Sequence, residues 1–128
     1  MLNPSAYYEL HSFQVRLGGQ SVEVVSKPGL PDWKKITPVE TLLAEHVHPS
    51  PGDRLLLYGC RNGALGVPLA RRAAPGTLAL NDLTILSATC GHETLRRNGI
   101  ENAHFEPQPY SSLDQAISFD AIVILLPK

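Results

Sequence analysis

Leu55-Leu56-Leu57-Tyr58-Gly59-Cys60-Arg61-Asn62-Gly63-Ala64-Leu65-Gly66 is the stretch on which the fold turns. A continuous apolar run bounded by glycine is the pattern of a strand buried on both faces of a parallel sheet. The glycines that follow let the backbone turn sharply, and the apolar residues after them predict a helix through Leu69 and Arg72. Pro75-Gly76 closes that helix, and Leu78-Ala79-Leu80 predicts the next strand, ending at Asn81-Asp82.

The same alternation continues outward on both sides. Upstream, Thr37-Pro38-Val39-Glu40 reads as a capping box with proline at the first helical position. Downstream, a helix of roughly four turns at 3.6 residues each is predicted to end at Asn98, with Gly99 in the left-handed conformation beyond it. Ala103 to Phe105 predicts a short strand, Ser111 to Ile117 a short helix, and Ala121 to Leu126 a fourth, wholly apolar strand. Strands alternating with helices imply right-handed crossovers and an α/β fold with a doubly wound parallel sheet.

The first 35 residues have a different texture. Phe13, Val15 and Leu17 alternate with polar residues, Gly18-Gly19 turns the chain, and Val22 and Val24 alternate on the return. That predicts a β-hairpin, followed by a breaker-rich loop around Lys27 to Asp32. The expected organisation is therefore a hairpin and loop over residues 1–35 and an α/β domain over residues 36–128, truncated after its fourth strand. An apolar strand with one uncovered edge is an association hazard, so self-association through that edge is expected.

Composition narrows the function classes. Eleven basic and twelve acidic residues leave a net charge of -1, so no global field draws the chain to nucleic acid or to an anionic membrane. Two cysteines, Cys60 and Cys90, are too few for a disulfide framework and predict a reduced, cytoplasmic chain with small buried thiols. Residues 1–10 do not read as a signal peptide, and the apolar run at Ala121 is far too short to span a membrane. His46-Val47-His48 has no third ligand nearby, so no metal is expected.

The candidate site is the glycine loop. Gly59 and Gly63 allow close approach of a ligand whose polar groups meet backbone N–H donors. Asp82 follows Gly63 by 19 residues, at the end of the next strand, where an acid accepts hydrogen bonds from a ribose. The alternative is that the glycines serve only a tight crossover and Asp82 caps the following helix.

Residues 55–66, 80–101 and 119–128 together resemble a class I S-adenosylmethionine-dependent methyltransferase. The nearest pattern is that of the rRNA guanine-N2 methyltransferases with two tandem methyltransferase-like domains, and Asn98-Gly99-Ile100-Glu101 is a strong point of similarity. The resemblance implies a Rossmann-like sheet, S-adenosylmethionine as cofactor, Gly59, Gly63 and Asp82 as its contacts, and rRNA as partner. It also implies departures. The family's first strand ends in an acid that holds the methionine end of the cofactor, where this chain has Leu57. The middle glycine of its Gly-x-Gly-x-Gly loop is Arg61, and its Asn-Pro-Pro-aromatic motif is replaced by Leu125-Leu126-Pro127-Lys128. Pro107, Gln108 and Pro109 give no match to its adenine contact.

Such a profile resembles the degenerate N-terminal domain of these enzymes, supporting or substrate-positioning in role, with a C-terminal catalytic domain as partner and no catalytic residue of its own. A cofactor-binding methyltransferase domain in its own right is the alternative. A dinucleotide-binding oxidoreductase ranks below both, because Arg61 stands at the second glycine of Gly-x-Gly-x-x-Gly. The pairs Lys34-Lys35, Arg71-Arg72 and Arg96-Arg97 are read as solvated faces with RNA phosphates as the other use.

Overall fold

The structure, a computed structural model, describes residues 10–82, 84–105 and 119–125. The chain opens with an antiparallel hairpin, β1 (His11–Leu17) and β2 (Gln20–Ser26). Gly18 and Gly19 have φ of +59° and +77°, the pair of left-handed residues that a two-residue hairpin turn needs. α1 (Pro38–His46) follows, and its capping box is complete: Thr37 accepts from the Glu40 N–H while the Glu40 carboxylate accepts from the Thr37 N–H.

The remaining elements are β3 (Arg54–Tyr58), α2 (Gly66–Ala73), β4 (Thr77–Asn81), α3 (Ile85–Arg97), β5 (Ala103–Phe105) and β6 (Ala121–Ile124). Their four strands form one parallel sheet in the order β5-β4-β3-β6. The chain winds outward from β3 through β4 to β5, then returns to place β6 on the other side of β3. This is the doubly wound topology, with its switch point between β3 and β6. β6 ends at Ile124, with Leu125 of the expected strand beyond it, while Leu126 and the expected helix at Ser111 to Ile117 lie outside the described residues.

Leu55, Leu56 and Leu57 are all buried, as a central parallel strand requires. Glycines let two helices approach one face closely. A Cβ at Gly66 would lie 3.0 Å from Leu80 and 3.3 Å from Leu78, and one at Gly91 would collide with the Phe105 ring. Leu57, Leu80 and Phe105 share that face by strand register, so α2 and α3 both lie over it.

The hairpin joins the same core through Leu17, Val22 and Val24. Its attachment to α3 uses two side chains one turn apart. Thr94 accepts from the Val25 N–H at 2.9 Å and donates to the Val25 carbonyl at 3.2 Å. Asn98 treats Glu23 in the same way, at 3.1 and 2.8 Å. Gly99, at φ +68°, ends α3 as expected, with Ile100 N–H bonded back to the Leu95 carbonyl.

Other side chains join distant segments. Trp33 packs on His11 of β1, ring centroids 5.0 Å apart, and so pins the breaker-rich loop to the hairpin. Asp120 exchanges bonds with Arg54, its N–H donating to the Arg54 carbonyl and its carboxylate accepting from the Arg54 N–H, which sets the register of β6 on β3. All three basic pairs are engaged, Lys34 over the Trp33 ring and Lys35 on Asp32. Arg96 and Arg97 face Glu93 and Glu23, and Arg72 donates to the carbonyls of Gly18, Ala44 and Val47.

Candidate functional site

The carboxyl ends of β3 and β4 set the geometry of the glycine loop. Gly59 leaves β3 at φ +77°, and its N–H and that of Cys60 both point to the Asn81 carbonyl at the end of β4, at 2.8 and 3.4 Å. Arg61 follows in the left-handed region at φ +55°, a position that costs an L-residue with a side chain roughly 1–2 kcal/mol. Its N–H donates to Asp82 Oδ2 at 3.0 Å, and its carbonyl accepts from the Ser87 hydroxyl on α3. Gly63, at φ +79°, packs against Gly91: a Cβ there would lie 3.0 Å from the Gly91 Cα.

The loop donors are therefore turned inward. Gly63 donates to the Cys60 carbonyl, Ala64 to the Asn62 side chain and Gly66 to the Gly63 carbonyl. The expectation that these N–H groups face a ligand is not how the loop is built: the donors of Gly59, Cys60, Arg61, Gly63, Ala64 and Gly66 all close the loop on itself or on its neighbours.

Asp82 does not cap α3, either. That role belongs to Thr84, whose hydroxyl accepts from the Ser87 N–H at 3.1 Å. Asp82 accepts from the Thr84 N–H at 3.3 Å with Oδ1 and from Arg61 with Oδ2, so it ties the glycine loop to the start of α3. It stays half-buried on the wall of a cavity of about 440 Å³, within the range of small-molecule sites of roughly 300–1,000 Å³.

That cavity sits at the switch point. Tyr58, Gly59 and Arg61 form its floor side, Leu125 after β6 one wall, Leu86 of α3 another, and residues 29–32 of the breaker-rich loop a strap across it. Its lining is mainly apolar. Among the described residues its charged groups are Asp82, Arg61 and Asp32, the last paired to Lys35 at 3.9 Å. Gly63, expected at the site, supports the loop from behind and does not line the cavity.

Arg61 reaches away from the loop to α1. Its Nη1 donates to Glu40 Oε1 at 3.3 Å and to the Thr37 hydroxyl at 3.4 Å, with the side chain only 14% exposed. Sequence reasoning placed Glu40 in the capping box but gave no sign of this pair, since 21 residues separate the partners. Cys60 is buried, and desolvation pushes its thiol up to about 12 against the opposing hydrogen bond from Ser87. It stays a protonated, inert filler rather than a nucleophile. Among the described residues no group of three or more His, Cys, Asp or Glu side chains is placed to hold a metal ion. No helix of the described residues is long and apolar enough to cross a membrane.

A doubly wound parallel sheet with a glycine loop and a cavity at its switch point defines a Rossmann-like fold of the class I methyltransferase type. Residues 21–127 match the Methyltransferase small domain family, and the chain belongs to that family. A ribosomal RNA small subunit methyltransferase C from Stutzerimonas stutzeri is 37% identical over 89 residues, which is 70% of this chain and 27% of that protein. The protein of the same name from Ectopseudomonas mendocina is 32% identical over the same share. Among solved structures, the T. thermophilus 16S rRNA N2 methyltransferase in complex with AdoMet and guanosine superposes with a TM-score of 0.76 at 25% identity, over 93% of this chain and 33% of that one. A precorrin-8w decarboxylase from Methanobacterium thermoautotrophicum shares the fold at a TM-score of 0.61 and 19% identity, over 79% of this chain and 54% of that one. The chain thus spans about a quarter to a third of the length of its methyltransferase relatives.

Proposed function

We propose that this chain is the degenerate N-terminal domain of an S-adenosylmethionine-dependent rRNA (guanine-N2) methyltransferase, structural or substrate-positioning in role. The observation that carries the reading is Arg61. A loop position that favours glycine holds a side chain whose guanidinium is tied to Glu40 and Thr37 across the site. Leu57 supports it, being packed wholly in the core, where no carboxylate is offered to a cofactor. On this reading the whole protein moves a methyl group from the cofactor to a guanine amine in a C-terminal catalytic domain. This domain helps place the rRNA, in the cytoplasm. Positioning of that kind supplies much of the rate in a transfer needing an aligned lone pair.

Isothermal calorimetry of the 128-residue chain with S-adenosylmethionine is the test. No saturable binding in the micromolar range is expected. One-to-one micromolar binding, weakened by Asp82→Ala, would instead make this a cofactor-binding domain in its own right. The retained cavity and the half-buried Asp82 are the features that favour that second reading.

The apolar edge bears on partners. Ile122 and Ile124 on β6 are 44% and 52% exposed, and β6 is the outermost strand of the described sheet. We infer that further strands of a longer protein, or failing those a second copy, add there. Light scattering on the 128-residue chain is expected to show concentration-dependent association that Ile122→Lys with Ile124→Lys removes. A monodisperse monomer at high concentration would count against it.

A further inference from the structure

Glu40 is the least comfortable charged group in the site. It is 2% exposed, its Oε1 takes the bonds from Thr37 and Arg61, and its Oε2 accepts no hydrogen bond. A buried carboxylate needs a cation or several donors. Arg61 supplies the cation, and it does so from the cavity side: Arg61 lines the cavity and Glu40 does not. The guanidinium therefore stands between the cavity and the carboxylate that would otherwise attract a positive group into it.

We propose that Arg61 is a tethered internal substitute for the ammonium of a ligand, so that the cavity takes a neutral nucleoside and discriminates against a nucleoside carrying an amino-acid tail. This rests on the reading of the domain as a degenerate methyltransferase copy. The geometry supports each half. For the nucleoside, the cavity is mainly apolar, its volume of about 440 Å³ accommodates a base and ribose, and Asp82 stands at its wall. Oδ1 and Oδ2 each accept one backbone N–H, and a carboxylate oxygen has a second lone pair for a ribose hydroxyl. For the tail, an α-ammonium entering beside Arg61 finds the reachable oxygen of Glu40 already held by Nη1 at 3.3 Å. Displacing the guanidinium would break its buried ion pair with Glu40 and bring two further charges, the ammonium and carboxylate of the tail, into a mainly apolar cavity. Of the carboxylates lining the cavity among the described residues, Asp32 is paired with Lys35, and Asp82 is the one assigned to the ribose.

The experiment compares 5′-methylthioadenosine, which lacks the tail, with S-adenosylhomocysteine, which has it, by calorimetry on the unmodified chain. Saturable binding of methylthioadenosine in the submillimolar range is expected, with S-adenosylhomocysteine at least tenfold weaker, about the effect of one charge-assisted bond. In Arg61→Gly the order is expected to reverse, because Glu40 is freed for the ammonium. In the double variant Arg61→Gly with Glu40→Gln, which removes the uncompensated buried charge and so keeps the fold, the tail is expected to gain nothing. Equal or tighter binding of S-adenosylhomocysteine by the unmodified chain would overturn the proposal. Absence of binding by either nucleoside to any variant would overturn it while leaving the degenerate reading in place. Micromolar binding of S-adenosylmethionine would overturn both.

Discussion

Gly59→Ala is expected to lower stability by about 3 kcal/mol or more, combining a left-handed residue's cost of roughly 1–2 kcal/mol with an overpacking cost of roughly 1–3 kcal/mol. Gly59 sits at φ +77°, and a Cβ on it would drive into the carbonyl oxygen of Leu125. Leu125 has nowhere to retreat, because its N–H is bonded to the Tyr58 carbonyl at 2.9 Å and its side chain is in the core. The clash is therefore backbone against backbone at the junction of β3 and β6. A total stability of roughly 5–15 kcal/mol leaves little margin for it. Chemical denaturation gives the measurement, with Gly99→Ala as the reference. Gly99 has φ +68° and nothing within 4 Å of its would-be Cβ, so only the conformational cost applies. Equal midpoints for the two variants would refute the steric argument.

Arg72→Ala is the second large effect expected, about 3 kcal/mol, since hydrogen bonds to a charged group contribute roughly 1.5–3 kcal/mol and more than one is lost. The guanidinium gathers the carbonyls of Ala44 and Val47, at the end of α1, and of Gly18, in the hairpin turn. The guanidinium thus ties the end of α1 and the hairpin turn to α2, which carries Arg72, and a positive charge at a helix carboxyl end is itself favourable. Removing it leaves part-buried carbonyls without donors. The thermal midpoint should fall by about 10 °C, on the scale of roughly 2–8 °C per kcal/mol for domains near this size. Arg71→Ala, whose bonds to Gln20 and Ser21 are exposed, should cost under about 1 kcal/mol. Matching losses for the two arginines would show that the three carbonyls find water instead.

Features carried by neighbouring residues were legible in the sequence. The Thr37–Glu40 capping box, the glycine end of α3, the hairpin turn and the buried run of β3 all declare themselves within a few positions, because local hydrogen bonds and periodicity decide them. The candidate site was legible only as a place. Gly59 and Asp82 do line the cavity, yet the strap of residues 29–32, Leu86 and Leu125 that complete it come from distant segments. No spacing rule announces that Arg61 will reach Glu40 or that Arg72 will reach Gly18, 54 residues away. Those contacts depend on how α1 and the hairpin settle on the sheet, which is fixed by packing. Asp82 shows the same limit, since a cap and a loop tie demand the same residue at the same position and differ only in which N–H arrives.

The pairing of Thr94 and Asn98 with Val25 and Glu23 has a consequence for how the chain behaves outside its native state. Each side chain offers one donor and one acceptor to a single residue of β2, which is what an adjoining strand would offer. Helix α3 thus impersonates a third strand, and the hairpin's outer rim is already taken. Any fluctuation that lifts α3 would hand two complete backbone pairs to the nearest extended polypeptide. Protection of the Glu23 and Val25 amides against hydrogen exchange therefore reports how often the domain becomes sticky.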